Sequence, residues 1–395
     1  MRWPVYILFA FLATTSAQAA MITGEASWQG EMTITENVRV EPGAHLVVSP
    51  ESTIFFAGGS LEVAGRLTAR NATFTGDGWK GIVLKGCGVD TLMTGSTVSG
   101  AKLGIQVIGG EPRLEELLIT GNDIGIELRQ QSRATVAGAT FSGNRKVGLF
   151  VKDGAEVAVL NNRFEKNGRF GAYIFRSTPR RFAGNVFSQN DTGLMVSFSG
   201  SNPELRDNCF DHNGTAIQVE KAARPLITGS DISNNGVGIS LYRRADPVIE
   251  NNLLAQNGTG IKIAFSSYPK ITGNDFVEND MALYLEFQSA EWEKQKGSAT
   301  RQEESSRSAF GNLEKSTAEL APPRNLDGTI DAANNWWGKA GLEELEKAGP
   351  AGNPGFIDDG RDRPTFVEGG ITYPLDRVTF SPWRKSSVFA GGEKK

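Results

Sequence analysis

The sequence predicts an all-β solenoid of short stacked strands, and three observations carry that expectation. Pro203, Pro225, Pro247 and Pro269 stand 22 residues apart, each followed two positions later by an aliphatic residue and five later by Asn208, Ser230, Asn252 or Asn274. The same period runs through Gly81-Ile82, Gly104-Ile105, Gly125-Ile126, Gly148-Leu149, Gly171-Ala172, Gly193-Leu194, Ala216-Ile217, Gly238-Ile239, Gly260-Ile261 and Ala282-Leu283, at intervals of 21 to 23 residues. Within each step the apolar residues alternate, as Ile239 and Leu241 do about Ser240 in Gly238-Ile239-Ser240-Leu241-Tyr242. Alternation of period two marks a strand with one buried side, and a fixed period near 22 marks a stack of repeats.

The Gly-Ile step gives the first strand of a coil, with two inward columns. Ile82, Ile105, Ile126 and their equivalents fill one, and Leu84, Val107, Leu128 and theirs fill the other; both are aliphatic in all ten coils. A strand opening at the proline needs no backbone donor there, and another centres on an Asn-x-Phe pattern, as in Asn162-Arg163-Phe164 and Asn208-Cys209-Phe210. Three strands in about 22 residues leave no room for a helix between them. The coils therefore form a β-helix. Asn122, Asn144, Asn167, Asn190, Asn213, Asn235, Asn257 and Asn279 precede the Gly-Ile steps by three or four residues, where asparagine suits tight turns and a ladder along the stack.

The N-x-F and N-G-x-G-I steps, as in Asn252 to Ile261, resemble the right-handed parallel β-helix repeat proteins of the pectate-lyase-like superfamily, closest to NosD-type or CASH (carbohydrate-binding and sugar-hydrolase) modules. Val38 to Val48, Gly59 to Ala69 and Trp79-Lys80-Gly81-Ile82 look like the entry coils of exported members, and Asn334-Asn335-Trp336-Trp337-Gly338 like their last coil. The resemblance implies a right-handed coil. It leaves activity open, because the group holds lyases, hydrolases, epimerases, copper-maturation accessories and members without a known role.

Along the 395-residue chain, Met1-Arg2, the apolar run Val5 to Ala13 and Ala17-Gln18-Ala19 read as a secretory signal over 1–19, predicting a periplasmic or extracellular protein. Entry coils follow over 20–75, the main repeats over 76–287, a charged excursion over 288–327, and a last coil and cap over 328–395. No other apolar run is long enough to span a membrane. With 41 basic and 45 acidic residues the formal net charge is -4, which gives no reason to expect a nucleic acid partner.

Outward positions of the first strand carry Phe150, Tyr173, Phe175, Tyr242 and Tyr284, with Phe198 and Phe265 at strand ends and Arg176 and Arg243 beside them. Rings stack on the apolar faces of sugars and guanidinium groups take carboxylates or sulfates, so this face suits an extended polysaccharide, anionic or neutral. The 288–327 excursion is a candidate cover for it, and a covered face would point to an envelope scaffold instead. A carbohydrate-active lyase, hydrolase or epimerase would need acids on adjacent coils. Asp211 and Asp231, with His212, are the candidates for catalysis, Asp207 and Asp275 being nearby in the same strand set. No lyase pattern of calcium-binding acids facing a basic residue is evident.

Metal ligands are sparse. His45 and His212 are the only histidines and lie about eight coils apart, so no transition-metal cluster is expected and the copper link of the resembled group has no ligand set here. Asp358, Asp359 and Asp362 could hold calcium, although they lack the spacing of an EF-hand loop. Cys87 and Cys209 are separated by five or six coils of about 4.8 Å each, beyond disulfide reach. Both thiols are therefore expected to react with an alkylating reagent once the chain is unfolded. A bridge between them found by mass mapping would overturn the coil register.

Overall fold

A computed structural model describes residues 20–296 and 324–389; the expected signal over 1–19 and much of the charged excursion lie outside the described residues. The coils stack their strands into three parallel sheets, the last coils adding to the first two only. The first sheet has 14 strands, from Ala20–Ile22 to Ile357–Asp358; the second has 14, from Glu25–Trp28 to Arg377–Thr379; the third has 12, from Glu31–Ile34 to Asp275–Val277. The Gly-Ile steps lie in the first sheet, the proline steps lead into the second, and the Asn-x-Phe steps form the third. The fold is the right-handed parallel β-helix.

Register follows the repeat. Ile217 pairs with Ile239 and Val219 with Leu241 in the first sheet, while Ile227, Ile249 and Ile271 align in the second. All of these side chains are fully buried. In the third sheet Phe141, Phe164, Phe187 and Phe210 stack face to face with centroids 4.6–4.7 Å apart, which fills the interior with one ring per coil. The prolines stand just ahead of their strands, and the carbonyls of Pro203, Pro225 and Pro247 accept from the amides of Leu226, Val248 and Lys270 at 3.0–3.1 Å. A residue without a donor thus still serves the ladder through its acceptor.

The expected asparagine ladder is continuous between the third and first sheets. Asn190 Nδ2 donates to Asn213 Oδ1 at 3.0 Å and Asn213 Nδ2 to Asn235 Oδ1 at 3.1 Å, while the same oxygens accept the Asn190 and Asn213 amides. Each Nδ2 also reaches a carbonyl, as Asn213 does to Phe187 at 3.0 Å. A second ladder lies between the second and third sheets: Asn162, Asn185, Asn208, Ser230, Asn252 and Asn274 follow one another in the same way. Asn274 Nδ2 then donates to Asn335 Oδ1 at 3.0 Å, so the ladder bridges the excursion and fixes where the chain rejoins the stack.

Past that point the cap departs from a plain return to strands. Trp337 stacks on Phe276 at 4.7 Å, and a helix Gly338–Ala348 follows, burying Gly341 and Leu345. Ile357 then sits on Leu283, and Asp275 accepts hydrogen bonds from Ser387 and from the Val388 and Phe389 amides. The end of the stack is covered rather than left open to edge pairing.

Asn213→Ala would strip the acceptor from the Asn190 amide and its side-chain nitrogen. The side-chain nitrogen keeps the Phe164 and Ser188 carbonyls as acceptors, so one buried unsatisfied donor, the Asn190 amide, predicts a loss of about 1–3 kcal/mol in chemical denaturation. Ile249→Asp, which places a charge in a dry core, is expected to abolish cooperative folding.

Candidate functional site

The outward side of the first sheet carries the aromatic residues in register. Glu127, Phe150, Tyr173, Met195 and Gln218 form one column, and Lys152, Phe175, Ser197, Glu220 and Tyr242 the next. Phe150 and Tyr173 stack at 4.9 Å with planes 14° apart. Tyr173 meets Phe175 edge-on at 6.0 Å, and Phe175 meets Phe198 at 4.8 Å. Val147, Phe170 and Met195 pack beneath this group as an apolar cluster outside the main core. Phe150, Tyr173 and Phe175 remain half-buried. Burial pushes the Tyr173 hydroxyl up, against the effect of its 2.9 Å hydrogen bond with Ser197, so the phenol stays neutral.

The strand ends supply a column that the alternation pattern does not reveal. Gly86, Gly109, Gln130, Asp153, Arg176, Phe198, Lys221, Arg243, Phe265 and Phe287 each follow the last residue of a first-sheet strand, and all have positive φ, from 47° to 74°. Glycine occupies this turn at no steric cost, as in the first two of these coils; a ring or a long cation there is strained. From Arg176 onward the chain nonetheless places a cation or a ring at this turn in every coil. Arg176 lies 5.0 Å and Lys221 4.7 Å from the centroid of Phe198, one from each side, and Arg243 lies 5.1 Å from that of Tyr242. Arg169 lies 4.9 Å over Phe170 and Lys152 5.1 Å over Phe150. Sequence reading passed over Lys221, Phe170 and Arg169. Phe170 opens the strand Phe170–Phe175 with Arg169 just before it, and Lys221 follows the strand Thr215–Glu220, positions outside the outward alternation.

The acids on the face are withdrawn into pairs. Glu127 and Asp153 side chains are 8% and 6% exposed, and Lys152 Nζ lies 3.2 Å from Glu127 and 4.0 Å from Asp153. Gln106 donates to Glu127 at 2.8 Å.

Toward the C-terminal end the excursion covers part of the stripe. Residues 290–296 are helical, and buried Trp292 meets Phe265 edge-on at 5.4 Å while donating to Glu368 at 2.7 Å. Glu293 pairs with Arg244 and Arg324, and Arg324 takes Asp246 through Nη1 at 2.7 Å. Arg363 lies 4.9 Å over Tyr284. Phe265 and Tyr284 are thus engaged by the cap, whereas no contact from residues 288–296 to Phe150, Tyr173 or Phe175 occurs among the described residues.

The candidate carboxylates lie on the outward side of the third sheet, a different face from the rings. Asp231 follows Cys209 in one column and shares it with Asp275 two coils on. Asp211 accepts from Asn234 at 2.9 Å and pairs with His212 at 2.8 Å. Burial alone would raise the Asp211 carboxyl, but these hydrogen bonds outweigh it and hold the group below the usual carboxylate range. An ionised carboxylate of this kind is no proton donor. Asp231 accepts from Ser233, and His212 occupies a turn with φ 55°. Asp275 is fully buried and spent on the C-terminal segment.

The three acids considered for calcium do not converge on one point. Asp359 is buried and accepts from Arg361 at 2.6 Å and from the Val378 amide at 2.7 Å; Asp358 pairs with Arg363 at 2.8 Å; Asp362 accepts from Asn353 at 2.8 Å. Arg361 and Arg363 from the same loop, the Val378 amide and Asn353 take the place of an ion.

A family described as "Right handed beta helix region" matches residues 52–210, and one described as "Periplasmic copper-binding protein (NosD)" matches residues 157–312. The chain is a right-handed β-helix repeat protein with a NosD-type stretch over residues 157–312. The copper in that family's description finds no fitting donor set here: no group of three His, Cys, Asp or Glu is assembled among the described residues. His45 spends both ring nitrogens on Glu25, Arg66 and Thr68 at 2.8–3.0 Å, and Cys87 is buried against the Val63 carbonyl at 3.3 Å. No described helix is long and apolar enough to cross a membrane.

Among solved structures, the Dettilon tailspike protein is similar at 15% identity and a TM-score of 0.48, covering 66% of this chain and 61% of that one. An alginate lyase from Paenibacillus sp. is similar at 11% identity and 0.33, covering 64% and 99%, and a mannuronan C-5 epimerase module from Azotobacter vinelandii at 15% and 0.30, covering 64% and 88%. At that distance the likeness carries nothing about activity. No curated protein sequence matches the chain.

The left-handed column makes a test that separates structure from use. Lys221→Gly relieves a backbone conformation that costs a non-glycine residue about 1–2 kcal/mol and gives up a largely buried pair with Glu220 and the contact with the Phe198 ring. Its melting midpoint should equal or exceed that of the parent chain, measured by calorimetry; a clear drop would show that the cation is needed for folding.

Proposed function

We propose that this protein is exported and binds an extended polysaccharide along the outward side of the first sheet, over the stretch from Phe150 to Arg243. The single observation that carries the reading is the run of half-buried rings, Phe150, Tyr173, Phe175 and Tyr242, with Arg176, Lys221 and Arg243 on strained left-handed positions beside them; Phe198, expected on this face, is buried and supports the run from beneath. Such strain is tolerated where the surroundings impose it and gathers at functional sites. A parallel stack presents one position per coil at a spacing of about 4.8 Å, so the Phe150–Tyr173 pair, Phe175 and, further along, Tyr242 line a path for a chain lying along the axis. Stacking on the apolar face of a sugar and polar contact at its edge are what tyrosine, phenylalanine and arginine provide together. Phe265 and Tyr284, engaged by the cap, mark the end of the surface rather than its middle. The rings, rather than the Asp211 and Asp231 region, carry the binding, because those carboxylates lie on another face.

Tyr173→Ala and Tyr242→Ala should each weaken retention on an insoluble polysaccharide or a glycan array by about 1–3 kcal/mol, the scale of a well-packed binding ring. Asp231→Asn should leave retention unchanged. Turnover of a polysaccharide that Asp231→Asn or Asp211→Asn removes while binding persists would replace this reading with an enzymatic one. Absence of binding to any glycan would leave a structural role in the envelope.

A further inference from the structure

The charge of the polymer follows from how ionic groups are distributed around the stripe. The chain as a whole is acidic, with a formal net charge of -4, yet between Arg145 and Arg181 nine Lys and Arg stand against three acids. That basic belt coincides with the two coils that carry Phe150, Phe170, Tyr173 and Phe175. Arg163, Arg180 and Arg181 lie on or beside the other two sheets; the remaining cations border both edges of the rings. Lys146, Lys166 and Arg169 stand where the chain enters these first-sheet strands and are exposed. Lys152 and Arg176 stand where it leaves, and Lys221 continues that edge in the left-handed column.

The acids of the same surface do not cancel this charge at the solvent boundary. Glu127 and Asp153 are almost wholly buried beneath Lys152 and Arg129, and Glu220 is held by Lys221 at 3.1 Å. Asp123 faces Arg145 and Lys146 together. Arg169 makes no ion pair among the described residues, Asp191 in the next coil included, and rests on the Phe170 ring. The anionic ends thus lie inward and the cationic ends outward, a face that attracts anions.

Resting on the sugar-binding reading above, we infer that the polymer is an acidic polysaccharide, carrying a carboxylate or sulfate at regular intervals along its length. Arg169 and Arg176 would take those groups through their planar forks while the rings between them take the sugar faces. Arg176 and Lys221 are two coils apart in one column and Lys221 and Arg243 one coil apart, so cations recur at about 5–10 Å along the axis. A chain with an acid on each sugar or each second sugar matches that interval. A nucleic acid would also meet rings and cations, but its dense charge suits a protein with a basic excess overall, which this chain lacks.

The test uses the full chain and four immobilised probes: polygalacturonate, dextran sulfate, neutral amylose and single-stranded poly-dT. Retention on polygalacturonate or dextran sulfate is expected at 50 mM salt, at least tenfold tighter than on amylose and lost as salt is raised; whichever probe binds identifies the acid. Arg169→Gln and Arg176→Gln should each weaken it about tenfold. Arg163→Gln, an exposed cation in the same coil but on the third sheet, should not, which distinguishes local recognition from net charge. Equal, salt-insensitive binding to amylose, unmoved by Arg169→Gln, would overturn the acidic-polymer inference while leaving the polysaccharide reading intact. Tighter retention on poly-dT would overturn it in favour of nucleic acid, and binding to none of the three glycans or to poly-dT would sink both proposals.

Discussion

Everything on the surface of this protein depends on the satisfaction of buried amides at the corners of the coil. A coil of about 22 residues must change direction three times, and each sharp turn exposes backbone groups to a dry interior where an unmade hydrogen bond is costly. Two asparagine ladders meet that requirement, each side chain serving as acceptor to the coil before it and donor to the coil after it. Because the ladder accepts only one offset between coils, it fixes register. Register in turn decides which side chains share a column.

Columns are the means by which a solenoid makes a surface. The inward columns are uniformly aliphatic or aromatic and hold the stack together, while the outward ones are free to vary, so rings and cations far apart in sequence become neighbours at the coil spacing. The first sheet uses this freedom differently along its length. Its middle coils present stacked rings between cations; its last coils are taken up by Trp292, Arg363 and the rest of the cap. The left-handed turn column adds a second layer, since Phe198 at φ 74° is held in place by Phe175, Arg176 and Lys221 around it.

Much of the site was legible in the sequence because a strict period turns sequence distance into spatial distance. Phe150, Tyr173, Phe175, Phe198 and Tyr242 could be assigned to one face from alternation and from the Gly-Ile step. What was not legible followed from geometry outside that alternation. Phe170 and Arg169 precede the strand core, Lys221 lies in a turn, and the second ladder through Ser230 and Asn335 is hidden by a serine and by a 61-residue gap. The acids near Asp358 looked available as a cluster, but the arginines that consume them are two and five residues away and only their folded directions reveal it.

The sequence by itself determined the class of fold, the inward columns and the face that carries the rings, because a repeat of short strands with one buried side has a single way to bury it. The tertiary structure decided what that face is next to. It put Asp211 and Asp231 on another side of the coil, laid the beginning of the excursion over Phe265 while leaving Phe150 and Tyr173 half-open, and turned Glu127 and Asp153 inward beneath their cations. These outcomes rest on contacts between segments that share no period, such as Trp292 with Phe265 and Arg324 with Asp246. No spacing rule relates such residues, so only packing in three dimensions could bring them together.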